Sequence, residues 1–201
     1  MPVVCCSLHS QVAPVCAALK GLRVAYVQLA GGALPVSLSD TLRALKEHEL
    51  VAVTVAVAPC FDGDVQCVTT ASALAWAREG HDVAVCAIGP GIVGTGSRFG
   101  HGGLASADAV NAASALGGRP IVAVRASEAD ERDRHRGVSH HTAAVLSLAH
   151  GEPLVGGTTA DGWREACAGL PLSHMGRGPD EDPAFFEAAF AAGLLAKSLV
   201  A

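Results

Sequence analysis

The residues of this chain best suited to chemistry are imidazoles, guanidinium groups and carboxylates gathered at a few places. The densest group is His135, Arg136, Ser139, His140 and His141, in the run His-Arg-Gly-Val-Ser-His-His. A histidine serves as general acid or base near neutral pH, and an arginine beside it clamps an anionic group. Histidines are also metal ligands by type. Adjacent residues on a helix point about 100° apart, so His140 and His141 are not expected to reach one ion easily. No His-Glu-x-x-His spacing supports a zinc helix either. His9, Asp64 and His135 stand as other ligands, and the sequence leaves a divalent metal open. Ser139 reads equally as the cap of a helix that starts behind it.

Asp62 and Asp64 follow an apolar run and have the chemistry of a base or of magnesium ligands. Asp64 also precedes a helical stretch, where capping is its simpler use. Cys60 offers a thiol at the same place, although cysteine is common in cores.

The second chemical feature is a loop, Gly89-Pro90-Gly91-Ile92-Val93-Gly94-Thr95-Gly96, which breaks abruptly out of an apolar strand. Gly89, Gly91 and Gly94 spell a literal G-x-G-x-x-G. A dinucleotide fold starts its helix within that motif and sets an acid about 20 residues further on. Here Ser97 to Gly103 delay the helix and the next strand ends in Arg125, so a nucleotide-cofactor oxidoreductase is the lesser reading. A nest of backbone N–H groups from Gly89 to Gly96 for a phosphate or carboxylate is the functional alternative to a loop that only turns the chain.

Elements that would position these groups follow from hydrophobic periodicity. Apolar runs at Pro2–Ser7, Leu22–Leu29, Leu50–Ala58, Asp82–Ile88 and Pro120–Val124 read as strands. Helical spacing follows each of them, at Val12–Lys20, about Thr41–His48, about Val65–Arg78, Ser106–Leu116 and about His140–His150. Leu154-Val155 is expected as a sixth strand, Trp163–Cys167 as a short helix and Pro183–Leu199 as the last one. The alternation predicts one α/β domain over residues 1–201, doubly wound and Rossmann-like. Its mostly parallel five- or six-stranded sheet would carry helices on both faces. Ligands of such sheets sit outside the carboxyl ends of the strands. Those ends carry His9 and Ser10, Gly31-Gly32, Asp62 and Asp64, Gly89 to Gly96, and Arg125 to His141, whereas the strand starts carry few polar groups.

Composition excludes several classes. The chain has 201 residues, half of them hydrophobic but few aromatic, and a net charge of −5. No lysine and arginine cluster is interleaved with aromatics, so a nucleic-acid partner is not expected. No apolar run is long enough to span a bilayer, and no membrane partner is expected. The seven cysteines lack CxxC spacing and read as buried thiols of a cytoplasmic protein. Phe185, Phe186 and Phe190 recur at helical spacing, which suits core packing and leaves a homodimer contact as the other option.

At Gly-Pro-Gly-Ile-Val-Gly-Thr-Gly and His-Arg-Gly-Val-Ser-His-His the chain resembles a bacterial family known only as a domain of unknown function, numbered 3866. Leu8-His9-Ser10, Gly32 to Pro35, Gly117 to Pro120 and Met175 to Gly178 extend the resemblance from Leu8 to Asp182. It implies a cytoplasmic bacterial protein and supplies no activity. It also implies that fuller members carry an N-terminal segment ahead of the first strand, and that Gly151 to Pro171 is shortened here. Cys60, Asp62 and His101 stand where the family favours other residues. His9, Asp64, His135, His140, His141 and Arg177 are therefore the favoured residues. The expected ligand is a small anionic metabolite held by the Gly89–Gly96 loop, Ser10, Arg136, Ser139 and Arg177, with histidine or Asp64 moving protons. A non-catalytic binding or assembly module is the alternative.

Overall fold

A computed structural model describes residues 1–200 of the chain. Seven strands form one parallel sheet: β1 (Pro2–Cys6), β2 (Val24–Leu29), β3 (Val53–Val57), β4 (Val65–Cys67), β5 (Val83–Ile88), β6 (Arg119–Val122) and, after a two-stranded antiparallel ribbon of β7 (Ala126–Ser127) and β8 (Gly137–Val138), β9 (Leu154–Val155). Their order is β4-β3-β2-β5-β1-β6-β9. The central strands β1, β2 and β5 are buried at every position, as sequences apolar but for Gln28 require.

Seven helices cover the sheet: α1 (Val12–Ala18), α2 (Asp40–Glu47), α3 (Thr70–Arg78), α4 (Ala105–Ala115), α5 (His140–Leu148), α6 (Trp163–Ala166) and α7 (Pro183–Ser198). Alternate residues of each strand face opposite ways. Val4, Tyr26, Val85 and Ile121 pack with α1, α2, α6 and α7. Val3, Leu29, Cys86 and Val122 pack with α3, α4 and α5. Both faces are thus covered, as a doubly wound sheet demands.

The expected architecture holds, with one strand more than foreseen. A helix was expected from about Val65, but Val65 and Cys67 are half-buried while Gln66 is exposed, and they pair with β3 as an edge strand. The helix starts at Thr70, where Thr69 accepts a hydrogen bond from the Ser72 N–H at 3.1 Å. This shift relocates Asp64. It precedes β4 at the amino end of the sheet, opposite the expected site. Its carboxylate accepts from the N–H and hydroxyl of Thr54 at 2.8 and 2.7 Å and pairs with Lys46 at 2.6 Å. Burial would raise its pKa, but Lys46 and Thr54 overcome that and hold it below the ordinary carboxylate value. Asp64 anchors an edge strand.

Phe185 and Phe186 are fully buried and Phe190 nearly so, all against α1, α6 and the sheet. None is exposed for a dimer contact. Two helices, α1 and α7, lie in close contact at Gly193, where a Cβ would sit 2.5 Å from the Val15 carbonyl oxygen and 2.6 Å from the Ala18 side chain. Among the described residues no helix is long and apolar enough to cross a membrane.

The α1–α7 approach generates a test. Gly193→Ala should destabilise the protein by about 1–3 kcal/mol, the usual cost of overpacking. Gly80→Ala, with nothing within 4 Å of the added carbon, should stay within about 0.5 kcal/mol. Urea unfolding followed by circular dichroism distinguishes them, and equal midpoints would refute the tight helix contact.

Candidate functional site

Strands β1 and β5 are neighbours, yet the helices that follow them lie on opposite faces of the sheet. Their outgoing loops therefore diverge, and a crevice opens at the carboxyl ends of the strands. A cleft of about 320 Å³ lies there, lined among others by Leu8 after β1, Gly94, Thr95, Gly96 and His101 after β5, and Arg125, Arg132, Arg134, His135 and His141 after β6.

The loop after β5 divides into two parts. Its first part packs on the loop after β2: the Pro90 carbonyl accepts from the N–H groups of Ala33 and Leu34 at 2.9 and 3.2 Å. A Cβ on Gly32 would collide with the Gly89 carbonyl, and one on Gly91 would meet the Ala33 side chain. Close packing thus sets the positions of Gly89 and Gly91, and neither of them lines the cleft. The second part is a small hairpin. Gly94 bridges His101, the Thr95 N–H is taken by the Gly100 carbonyl, and the Gly102 N–H by the Val93 carbonyl at 2.9 Å. Thr95 therefore offers no free N–H, while the hairpin walls the cleft with Gly94, Thr95 and Gly96 and delivers His101 into it.

The segment after β6 is held just as tightly. Pairing of β7 with β8 closes its base, with the Ser139 N–H donating to the Arg125 carbonyl at 2.8 Å. The Arg125 N–H donates to Thr142 Oγ1 at 3.0 Å, which fixes the first turn of α5 against the end of β6. Ser139 caps that helix through the His141 N–H at 3.2 Å and also bonds His135 Nδ1 at 2.7 Å. Both readings of Ser139, as cap and as a member of the site, meet in one side chain.

Four imidazoles converge as a result. His101 stacks on His141 with centroids 3.5 Å apart. His140 lies 4.6 Å from His141 and 4.8 Å from His135, centroid to centroid. Burial, with Arg125 and other cations beside them, lowers the pKa of His101 to about 4, of His135 to about 3 and of His141 to about 2, and lowers that of His140 as well. The cluster is neutral at pH 7. Both ring nitrogens of His101, Nε2 of His140 and Nε of Arg125 are buried without a hydrogen-bond partner among the described residues.

Guanidinium groups surround the imidazoles. Arg125 is 2 % exposed, and its Nη1 donates to His141 Nδ1 at 2.9 Å. That contact puts the proton of neutral His141 on Nε2. Asp130 accepts two hydrogen bonds from the Arg132 guanidinium, each at 2.9 Å, and lies 3.5 Å from Arg125 Nη2 and from Arg177 Nη2. These hydrogen bonds with Arg132 hold the Asp130 carboxyl far below its ordinary value. Asp182, fully buried ahead of α7, accepts from Ser127 Oγ at 2.6 Å and Arg177 Nε at 3.2 Å. Arg125, Arg132, Arg134 and Arg177 thus face two carboxylates, Asp130 and Asp182, leaving two positive charges in excess. Glu128, Glu131 and Asp133 of the same segment are exposed and do not line the cleft.

Of the residues expected to act together, His135, His140, His141 and Ser139 do meet, and Arg177 braces them through Asp130. His9 is set apart: its Nε2 bonds Ser39 Oγ at 2.8 Å and its Nδ1 the Tyr26 hydroxyl at 3.3 Å, and burial takes its pKa to about 4. Ser10 bonds His174 Nδ1 at 3.4 Å, behind the cleft, where His174 stacks on Phe185. Arg136 is exposed and does not line the cleft; Arg125, Arg132 and Arg134 take the place expected of it. Cys60 is half-buried with its thiol raised by burial, and Asp62 accepts from Ser37 on the surface. His101, set aside in the sequence because the family favours another residue there, belongs to the cluster, its long sequence distance from His140 concealing the contact, and Asp130 and Asp182 were not singled out for the site. A signal existed for Arg125, since it directly follows the apolar run Pro120–Val124 at the ligand-bearing edge.

The sequence model of a family described as "Protein of unknown function (DUF3866)" matches residues 1–161, and the chain belongs to that family. The match takes in all four clustered histidines and stops before Arg177 and Asp182, short of the Asp182 limit that the motifs implied. No curated protein and no solved structure matches the chain.

Depressed imidazole pKa values couple folding to pH. The unfolded chain binds protons at about 6.5, more readily than the folded one, so this stability is full above about 6.5 and is lost as pH falls through about 4. The melting temperature should therefore drop between about pH 7 and pH 4.5, with proton uptake on unfolding. A melting temperature independent of pH over that interval would show that the imidazoles are not buried as described.

Proposed function

We propose that the protein binds a small anionic metabolite, bearing a phosphate or carboxylate, in the cleft between the β5 hairpin and the β6–α5 segment. The carrying observation is the excess of guanidinium charge beside neutral imidazoles whose buried nitrogens lack partners. A buried unpaired donor costs about 1–3 kcal/mol, and an anion accepting from Arg125 Nε, Arg134 and the imidazole N–H groups would satisfy several at once. A volume of about 320 Å³ suits a small metabolite.

Within such a complex the roles divide by charge. Arg134 and Arg132 would draw the anion in, while Arg125, fixed by Asp130, would orient it. A neutral imidazole with a lowered pKa accepts protons weakly until a bound anion raises its basicity. His135 and His140 are the candidates for such acid–base work, because His141 is tied to Arg125. Whether this makes an enzyme or a binding protein turns on consumption of the ligand. Seven free cysteines, five of them buried, favour a reducing cytoplasmic location.

Arg134 tests the reading cleanly. It lines the cleft, is exposed, and has no ion pair among the described residues. Arg134→Ala should leave the melting temperature unchanged and weaken phosphate or carboxylate binding, measured by calorimetry, by about tenfold, or 1.4 kcal/mol. Wild-type protein that binds neither phosphate nor small carboxylates, or a variant that binds them as tightly, would refute it.

A further inference from the structure

The expectation that His140 and His141 cannot share an ion assumed that they act alone from one helix. His101 changes this. It reaches them from the β5 hairpin, and one ring nitrogen from each of His101, His140 and His141 lies within 4.8 Å of the other two. We propose that these three histidines form a site for a divalent transition metal of the zinc class, with an oxygen of the bound anion completing its coordination. The inference rests on the anion reading above for its fourth ligand, and with the metal bound it leaves acid–base work to His135 rather than His140.

Two features carry it. Both nitrogens of His101 and Nε2 of His140 are buried and unpartnered, so a metal would satisfy atoms that the protein leaves unsatisfied. The ligand types and number match a zinc-class site with one position open. Tetrahedral coordination needs nitrogens about 3.3 Å apart, so the rings must draw together on binding, and His140 at the start of α5 is the one of the three that is not fully buried.

Arg125 sets a condition. While its Nη1 donates to His141 Nδ1, the proton of that ring is on Nε2 and the ring cannot ligate. Metal binding must release Arg125 from His141. Asp130 is placed to receive it, 3.5 Å from Arg125 Nη2, and Arg125 Nε is already without a partner. The surrounding guanidinium groups oppose a bare dication and favour one whose charge an anion offsets. Metal and anion should therefore strengthen each other's binding.

Cobalt(II) titration of chelator-stripped protein, followed by visible absorption and calorimetry with and without inorganic phosphate, tests this. One equivalent should bind with the intense absorption of tetrahedral cobalt, and phosphate should alter that spectrum. His101→Ala and His140→Ala should each weaken binding by at least about tenfold, while exposed His150→Ala should not. If His101→Ala fails to fold, His140→Ala with its half-exposed side chain decides. Weak, non-stoichiometric cobalt binding, or binding retained in His140→Ala, overturns the metal site. Phosphate binding without cobalt in the same experiment leaves the anion reading standing, and loss of both refutes both.

Discussion

Arg125 leaves β6 with its guanidinium buried, and a buried charge must be paired and hydrogen-bonded or it destabilises the fold. Much of the site follows from meeting that demand. Asp130 is drawn back over the strand end to face it, and Arg132 and Arg177 share the same carboxylate. Ser127 links Asp130 to Asp182 by accepting the Asp130 N–H and donating to the Asp182 carboxylate. The network thereby ties the β6 segment to the start of α7, two parts of the chain far apart in sequence. Removing one member would leave another charge buried alone, which is the costly case.

The same residue organises the imidazoles. Its backbone N–H holds Thr142 and its carbonyl holds Ser139, so the first turn of α5 stands at a fixed angle to the sheet. Its side chain fixes the tautomer of His141, and its charge helps keep the neighbouring rings neutral. The opposite wall depends on backbone approach. Gly32 and Gly89 bring the loops after β2 and β5 together, and the chain beyond turns back as the hairpin that presents His101. Charge on one side and close glycine contact on the other define a cleft that the sheet topology had already placed.

Local pattern made the fold legible. Val-rich runs mark every central strand, and the Ser39 and Ser139 caps mark helix starts. The strand of the main sheet that was missed, β4, is three residues long and lies just ahead of a helix, so its period-two signal is too brief to compete. The site was legible where its residues are sequence neighbours, as with His135, Ser139, His140 and His141. Where it depends on side chains meeting across the sheet it was not. Nothing local reveals that Asp64 turns toward Lys46 at the opposite edge, that Arg136 points to solvent while Arg132 and Arg134 face the cleft, or that His101 stacks on His141.

Four neutral imidazoles are packed beside buried Arg125 in a positively charged cleft. Long-range proton–nitrogen NMR of the histidine side chains, on metal-free protein near pH 6, reads the charge and tautomer of each ring directly. Neutral rings are expected for His101, His135 and His141, with His141 protonated on Nε2 because Nδ1 accepts from Arg125. Imidazolium signals for these rings at that pH, or a His141 proton on Nδ1, would contradict it.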